Sequence, residues 1–268
     1  MPYAEPFSFL SLRFALAILL LAGIALIARA PWPGWKLAVH SMVVGVFLHG
    51  LYLGAVFWSI DHGLPAGISA MIVGLQPILV AVLAWPLLGE RVQPWQWFGL
   101  ILGAIGLLLV LAPKFEIDGP GINLVNITVC LLAMLGQTAG TIYQKKYATS
   151  VPLRTGTLWQ YVGALIPSLL YASSFESFTF EWNGELIFAL VWLVFVLSIA
   201  AIFLLMLLIR DGSVSKVSSL FYLVPASTAI IAYFLFGEVL NTVQLIGMIF
   251  CAIGVRIVMA SNSSRVTR

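Results

Sequence analysis

Nine stretches of about 20 nearly uninterrupted apolar residues, joined by short polar connectors, leave this chain few ways to fold. They run over 7–29, 36–60, 65–88, 95–113, 122–143, 156–175, 185–209, 216–237 and 242–261. A helix of roughly 20 apolar residues spans the hydrocarbon core of a bilayer. The connectors between the runs, such as Asp61-His62-Gly63, Gly89-Glu90-Arg91 and Arg210-Asp211-Gly212, are too short to fold as soluble domains. Strands of an outer-membrane barrel alternate apolar with polar residues, and these runs do not. Nor does the first run read as a cleaved signal: only Glu5 is charged within Met1–Leu12, so no basic region precedes it.

Composition agrees. Hydrophobic residues make up 62% of the chain and charged ones 9%, against roughly 25% charged in a soluble domain. The net charge of +3 is small and forms no basic stripe interleaved with aromatics, which argues against nucleic acid as a partner. Cys130 and Cys251 lie inside apolar runs without metal-ligand spacing, so no metal site is expected. No Gly-rich phosphate loop, His-Glu-x-x-His or Gly-x-Ser-x-Gly occurs, so neither a cofactor nor an enzyme activity is expected.

Charge placement sets orientation. With connectors alternating sides, one side holds Arg29, Lys36, Arg91, Lys145, Lys146, Arg154, Arg210, Lys216, Arg265 and Arg268. The other holds Arg13 and Lys114 with Glu116, Asp118, Glu176, Glu181, Glu185 and Glu238. The positive-inside rule makes the basic side cytoplasmic, with the C-terminus inside and Met1 outside.

The most informative pattern is self-similarity at a constant offset of 148 residues. Pro77 matches Pro225, Gly89-Glu90 matches Gly237-Glu238, Gln96 matches Gln244, Gly99 matches Gly247, and Ala104-Ile105-Gly106 matches Ala252-Ile253-Gly254. The loop charges put Glu90 and Glu238 on opposite sides, so the two copies are inverted. Inverted repeats are a widespread plan among secondary transporters, with the site at mid-bilayer depth between the copies.

These same residues carry a resemblance. Arg13-Phe-Ala-Leu-Ala17, Gly67 to Pro77, Leu88-Gly89-Glu90-Arg91, Gly99 to Gly106, and the repeat over Lys216 to Gly254 resemble the drug/metabolite transporter superfamily, EamA type. The resemblance implies an all-α polytopic membrane fold of two inverted five-helix repeats, and export or exchange of small metabolites such as amino acids. Nine transmembrane helices are expected in this chain. They divide into a first repeat over 1–114 with four helices, a second over 121–261 with five, and a cytoplasmic tail over 262–268. The first helix of the first repeat is expected to be missing ahead of Met1.

Several side chains are candidates for the substrate path. Pro77 and Pro225 each remove a backbone donor near the middle of a long helix, which frees a carbonyl and permits a kink. His49 is the ionisable group closest to the centre of any span, with Tyr52 on the same helical face. An intramembrane ionisable group is a functional candidate, and an ordinary pKa near 6.5 suits a proton-coupled step; the alternative is a neutral histidine bonded to a neighbouring helix. Gln76, Gln137, Thr141, Gln144, Gln160, Tyr222 and Thr228 are polar groups in apolar runs that need internal partners or a wet cavity. Arg13 is either a snorkelling anchor or a ligand for a substrate carboxylate. Gly99, Gly103, Gly106, Gly247 and Gly254 permit close helix approach, within the chain or across a homodimer.

The expected function is a secondary transporter of small organic metabolites in the bacterial inner membrane, working by alternating access in contact with lipid. The alternative is a non-transporting membrane scaffold or assembly partner, which predicts polar groups facing other helices with no cavity.

Overall fold

The computed structural model describes residues 3–114, 122–236 and 240–260. Gly237, Glu238 and the tail 262–268 lie outside the described residues. The described chain is helical, apart from one isolated antiparallel bridge between Ala4 and Phe180. In order it forms α1 (Pro6–Ile27), α2 (Trp35–Asp61), α3 (Ala66–Leu88), α4 (Pro94–Leu111), α5 (Leu124–Tyr147), α6 (Leu153–Phe175) and α7 (Gly184–Asp211). Next comes α8, built from Val214–Ser219, a 3-10 turn over Leu220–Tyr222, and Leu223–Phe236; α9 (Thr242–Ala260) is last.

Among the described residues, eight helices are long and apolar enough to cross a membrane, one fewer than the nine expected. The exception is α6, whose 23 residues give sufficient length but include Thr155, Thr157, Gln160, Tyr161 and Ser168. All five are buried, so the polar face of α6 is turned toward other helices while Ile166, Leu169 and Leu170 stay exposed. Elsewhere large apolar side chains stand exposed, among them Leu19, Ile27, Phe98 and Phe188, as lipid-facing positions require.

The chain forms two compact units: Met1–Leu64 with Asn123–Gly212, and Pro65–Ile122 with Ser213–Arg268. Both units cut across the sequence repeat. The first holds α1, α2, α5, α6 and α7; the second holds α3, α4, α8 and α9.

In the second unit α4 and α9 pack along their length, and the 148-residue offset reappears as geometry. Gln96 Nε2 donates to the Val258 carbonyl at 3.5 Å, and its repeat mate Gln244 donates to the Val110 carbonyl at 3.4 Å. Val110 and Val258 are themselves 148 apart. The start of each helix therefore meets the end of the other, so the mates run antiparallel about a local twofold. Glycine makes the close approach feasible: a Cβ on Gly99 would lie 2.7 Å from the Gly254 carbonyl oxygen, and one on Gly247 would lie 2.7 Å from that of Gly106. The glycines are thus occupied by packing within this unit.

The same unit shows what Pro77 does. Helix α3 breaks at Leu75, between Ala66–Gly74 and Gln76–Leu88, through tight bonds from Leu75 N–H to Ile72 and from Ile78 N–H to Leu75. Pro77 has no N–H to offer the Val73 carbonyl. At the matching place in the second copy, the 3-10 turn Leu220–Tyr222 comes just ahead of Pro225. Both copies interrupt this helix at the same repeat position.

In the first unit α1 packs against its own repeat mate, α6. The Glu176 carboxylate, just past α6, accepts from the N–H groups of Phe7 and Ser8 at 2.9 and 2.6 Å and from Ser8 Oγ at 2.7 Å. An anion capping the free N–H groups of a helix start is favourable. At the other end Thr155 Oγ1 donates to the Pro31 carbonyl at 2.8 Å, so this pair is also antiparallel. Lys145 of α5 closes α7 by donating to the carbonyls of Ile209, Arg210 and Gly212 at 2.9, 3.1 and 2.7 Å. The same logic applies with the sign reversed: a cation suits exposed carbonyls at a helix end.

Candidate functional site

Two backbone irregularities prepare the polar centre of the first unit. Within α2, Val46–Leu51 is a π-helical segment, and within α7 a second one covers Leu193–Ala201. Adding 148 to the first range gives 194–199, so the two segments occupy the same repeat position. A π turn inserts a residue and rotates the following side chains, and such turns are frequent at functional sites. The first buries Leu48, His49 and Gly50; the second buries Ser198.

Close helix approach does the rest. A Cβ on Gly45 would strike the Gln160 carbonyl, and one on Gly163 would strike the Met42 carbonyl. With hydrogen atoms there instead, α2 lies directly on α6, and His49, one turn beyond Gly45, reaches Gln160. His49 Nε2 is 3.4 Å from Gln160 Oε1, and its ring stacks on Tyr161 with centroids 4.9 Å apart. Phe14 adjoins both rings, at 6.4 Å from His49 and 5.6 Å from Tyr161.

Arg13 completes the group. It is 5% exposed, so it is enclosed rather than snorkelling to an interface. Its Nε donates to Ser198 Oγ at 3.1 Å, while the Tyr161 hydroxyl donates to the Ser198 carbonyl at 3.0 Å. Arg13, His49, Gln160, Tyr161 and Ser198 are thus brought together from α1, α2, α6 and α7.

The remaining candidates divide between the units. In the first, Gln137, Thr141 and Gln144 are all buried on α5; Thr141 bonds its own helix at the Gln137 carbonyl, while the Oε1 atoms of Gln137 and Gln144 have no partner. Tyr52 is half-buried and makes no ring contact or hydrogen bond with the His49 group among the described residues. In the second unit, Gln76 is 1% exposed with both amide atoms unpartnered, and the buried Tyr222 hydroxyl likewise has no partner. Pro77 is buried beside Gln76 and Pro225 is half-buried. Thr228 is exposed, with its hydroxyl bonded to the Val224 carbonyl, so it stands apart from the buried polar set.

Sequence reasoning did not single out Ser198. Its signal was its isolation, as the one hydroxyl in the run 185–209.

Antiparallel repeat mates, paired helix breaks and a buried polar centre among lipid-length helices define a polytopic membrane protein built on an inverted repeat. The family follows from relatedness. A sequence profile of the EamA-like transporter family matches residues 1–112 and 124–260, and the chain belongs to that family. It is therefore a membrane transporter, with transport rather than catalysis as its function.

Named relatives agree. The chain is 27% identical over 277 residues to "Uncharacterized transporter YvbV" of Bacillus subtilis, covering 98% of this chain and 85% of that protein. It is 25% identical over 211 residues to a Salmonella typhimurium protein named "Probable amino-acid metabolite efflux pump", covering 75% of this chain and 70% of that one. A solved crystal structure of a protein superposes with a TM-score of 0.78 at 18% identity, covering 95% of this chain and 88% of that chain, a likeness of fold.

Proposed function

We propose that the protein is a secondary transporter that exports or exchanges small organic metabolites such as amino acids by alternating access. The observation that carries this reading is the reciprocal antiparallel packing of repeat mates, seen at Gln96–Val258 and Gln244–Val110. Two inverted copies of one unit have two equivalent ways to pack, and exchanging them turns an outward-open site inward. The matched breaks ahead of Pro77 and Pro225, and the matched π segments, supply places where the helices bend. Within the first unit, the buried and unpartnered Oε1 atoms of Gln137 and Gln144 and Nε2 of Gln160 offer acceptors and a donor to a polar solute.

Bacterial relatives within the family together with the loop charges support an inner-membrane location with the C-terminus cytoplasmic. His49 is the candidate for proton coupling as the buried ionisable imidazole among Gln160, Tyr161 and Phe14, in the same group as the Arg13 cation.

The test is flux of radiolabelled amino acids and related metabolites into liposomes holding the purified protein. Uptake above that of empty liposomes is expected for part of the panel, with a pH dependence that flattens in His49→Gln. No uptake across a broad panel sinks the transport reading at this level, and an unchanged pH profile in His49→Gln removes that residue from coupling.

A further inference from the structure

Arg13 and Tyr161 are 148 residues apart and so occupy the same position in the two copies. Both reach Ser198, Arg13 through Nε to the hydroxyl and Tyr161 through its hydroxyl to the carbonyl. One copy presents a cation where the other presents a phenol, and both converge on the π segment of α7.

The cation has no counter-ion beside it. The groups packed about Arg13 are Phe14 of its own helix with the ring centroid at 6.0 Å, Ser198 of α7 and, through Ser198, Tyr161 of α6; His49 and Gln160 lie behind Tyr161. No carboxylate pairs with Arg13 among the described residues. A guanidinium offers five N–H donors in a rigid fork, and the Nη groups of Arg13 have no hydrogen-bond partner among the described residues. Burying an unpaired charge is costly. Lys145 shows how this fold holds a cation that serves only structure, with three carbonyls around it. Arg13 is instead fixed through one nitrogen, which leaves the fork free to accept an anion.

We propose that Arg13 recognises the carboxylate of the transported molecule. Ser198 positions the guanidinium through Nε, and the two Nη groups pair with the two carboxylate oxygens, the bidentate geometry Arg favours. A single carboxylate fits better than a phosphate dianion, because Arg13 is the one buried cationic side chain among the described residues. This assignment rests on the transporter reading and deepens it, by naming the chemical group that the site selects.

The experiment compares L-alanine, L-leucine and L-phenylalanine with their amides, which keep side chain and amino group but lack the carboxylate. In proteoliposomes the wild type is expected to take up each acid at least tenfold faster than its amide. In Arg13→Gln that ratio falls to near one, and Arg13→Lys recovers part of it. Equal handling of acids and amides by the wild type overturns the proposal, as does an unchanged ratio in Arg13→Gln. A second readout separates this idea from transport itself: the melting temperature of the detergent-purified protein with L-leucine or leucinamide. A rise with leucine alone that disappears in Arg13→Gln keeps the carboxylate site even if no flux is seen. No flux and no shift overturn both.

Discussion

The α4–α9 pair and the α1–α6 pair come from the same 148-residue repeat, yet one keeps the symmetry and the other breaks it. In α4–α9 the polar residues and the tightest approaches recur in the mate, Gln96 with Gln244, Gly99 with Gly247 and Val110 with Val258, and the departures, Gly103 against Cys251 and Leu107 against Val255, carry no charge. In α1–α6 the mates are unlike, Arg13 against Tyr161, and a charge lies buried at the point of departure. Packing a helix pair requires only complementary shape, which two similar surfaces provide. Recognising an asymmetric solute requires unlike groups. The symmetric pair therefore reads as scaffold and the asymmetric pair as site.

The comparison breaks most sharply at the glycines. Substituting Gly45 or Gly163 with Ala drives a Cβ into the backbone carbonyl of Gln160 or Met42, where no side-chain rotation relieves the clash. Overpacking of this kind costs about 1–3 kcal/mol and occasionally more, so these two variants are expected to lose most of their folded yield in detergent. Gly34→Ala, with nothing within 4 Å of the added methyl, should melt as the wild type does. Wild-type stability in Gly163→Ala would mean that α2 and α6 are not in the contact described.

A smaller effect tests how α1 is held. Glu176 accepts three hydrogen bonds at the start of α1. Glu176→Gln keeps the shape, removes the charge and turns one acceptor into a donor facing N–H groups. Loss of a helix cap costs about 0.5–2 kcal/mol, and the expected result is a lower melting temperature with the acid-over-amide selectivity of Arg13 retained. A selectivity change in this variant would show that Glu176 acts on the site rather than on the helix end.

Much of the fold is legible in the sequence because proline, Gly-Glu pairs and glutamine stand out in long apolar runs and are easily seen when they recur at one offset. Pro77/Pro225 and Gln96/Gln244 announce the inverted repeat on their own. The expected helix count is one too high by length and hydropathy because α6 hides its polar residues inside a bundle, where an apolar run is not needed. The site is only half readable. His49, Gln160 and Arg13 stand out as polar groups in apolar runs, but the π segments shift helical phase at Val46–Leu51 and Leu193–Ala201, and no residue type in either segment signals that shift. Without it Ser198 has no evident tie to Arg13. Thr228 shows the converse, a polar residue in an apolar run that bonds its own helix and stays exposed.

The finest test of the comparison lies in the glutamines. Gln96 and Gln244 each accept from the backbone N–H three residues back, Gln93 and Asn241 respectively, and each donates to a carbonyl at the far end of the partner helix. Near-identical surroundings imply near-identical energies. Gln96→Leu and Gln244→Leu should each destabilise by about 1–3 kcal/mol, the net worth of the two hydrogen bonds each removes, and should agree with each other within experimental error. Their bonds lie at opposite ends of the α4–α9 contact and share no partner, so the double variant should equal the sum to within about 0.3–0.5 kcal/mol. Unequal single effects would show that the pair is not symmetric in energy although it is symmetric in geometry. The division between a symmetric scaffold and an asymmetric site would then have to be drawn elsewhere in the molecule.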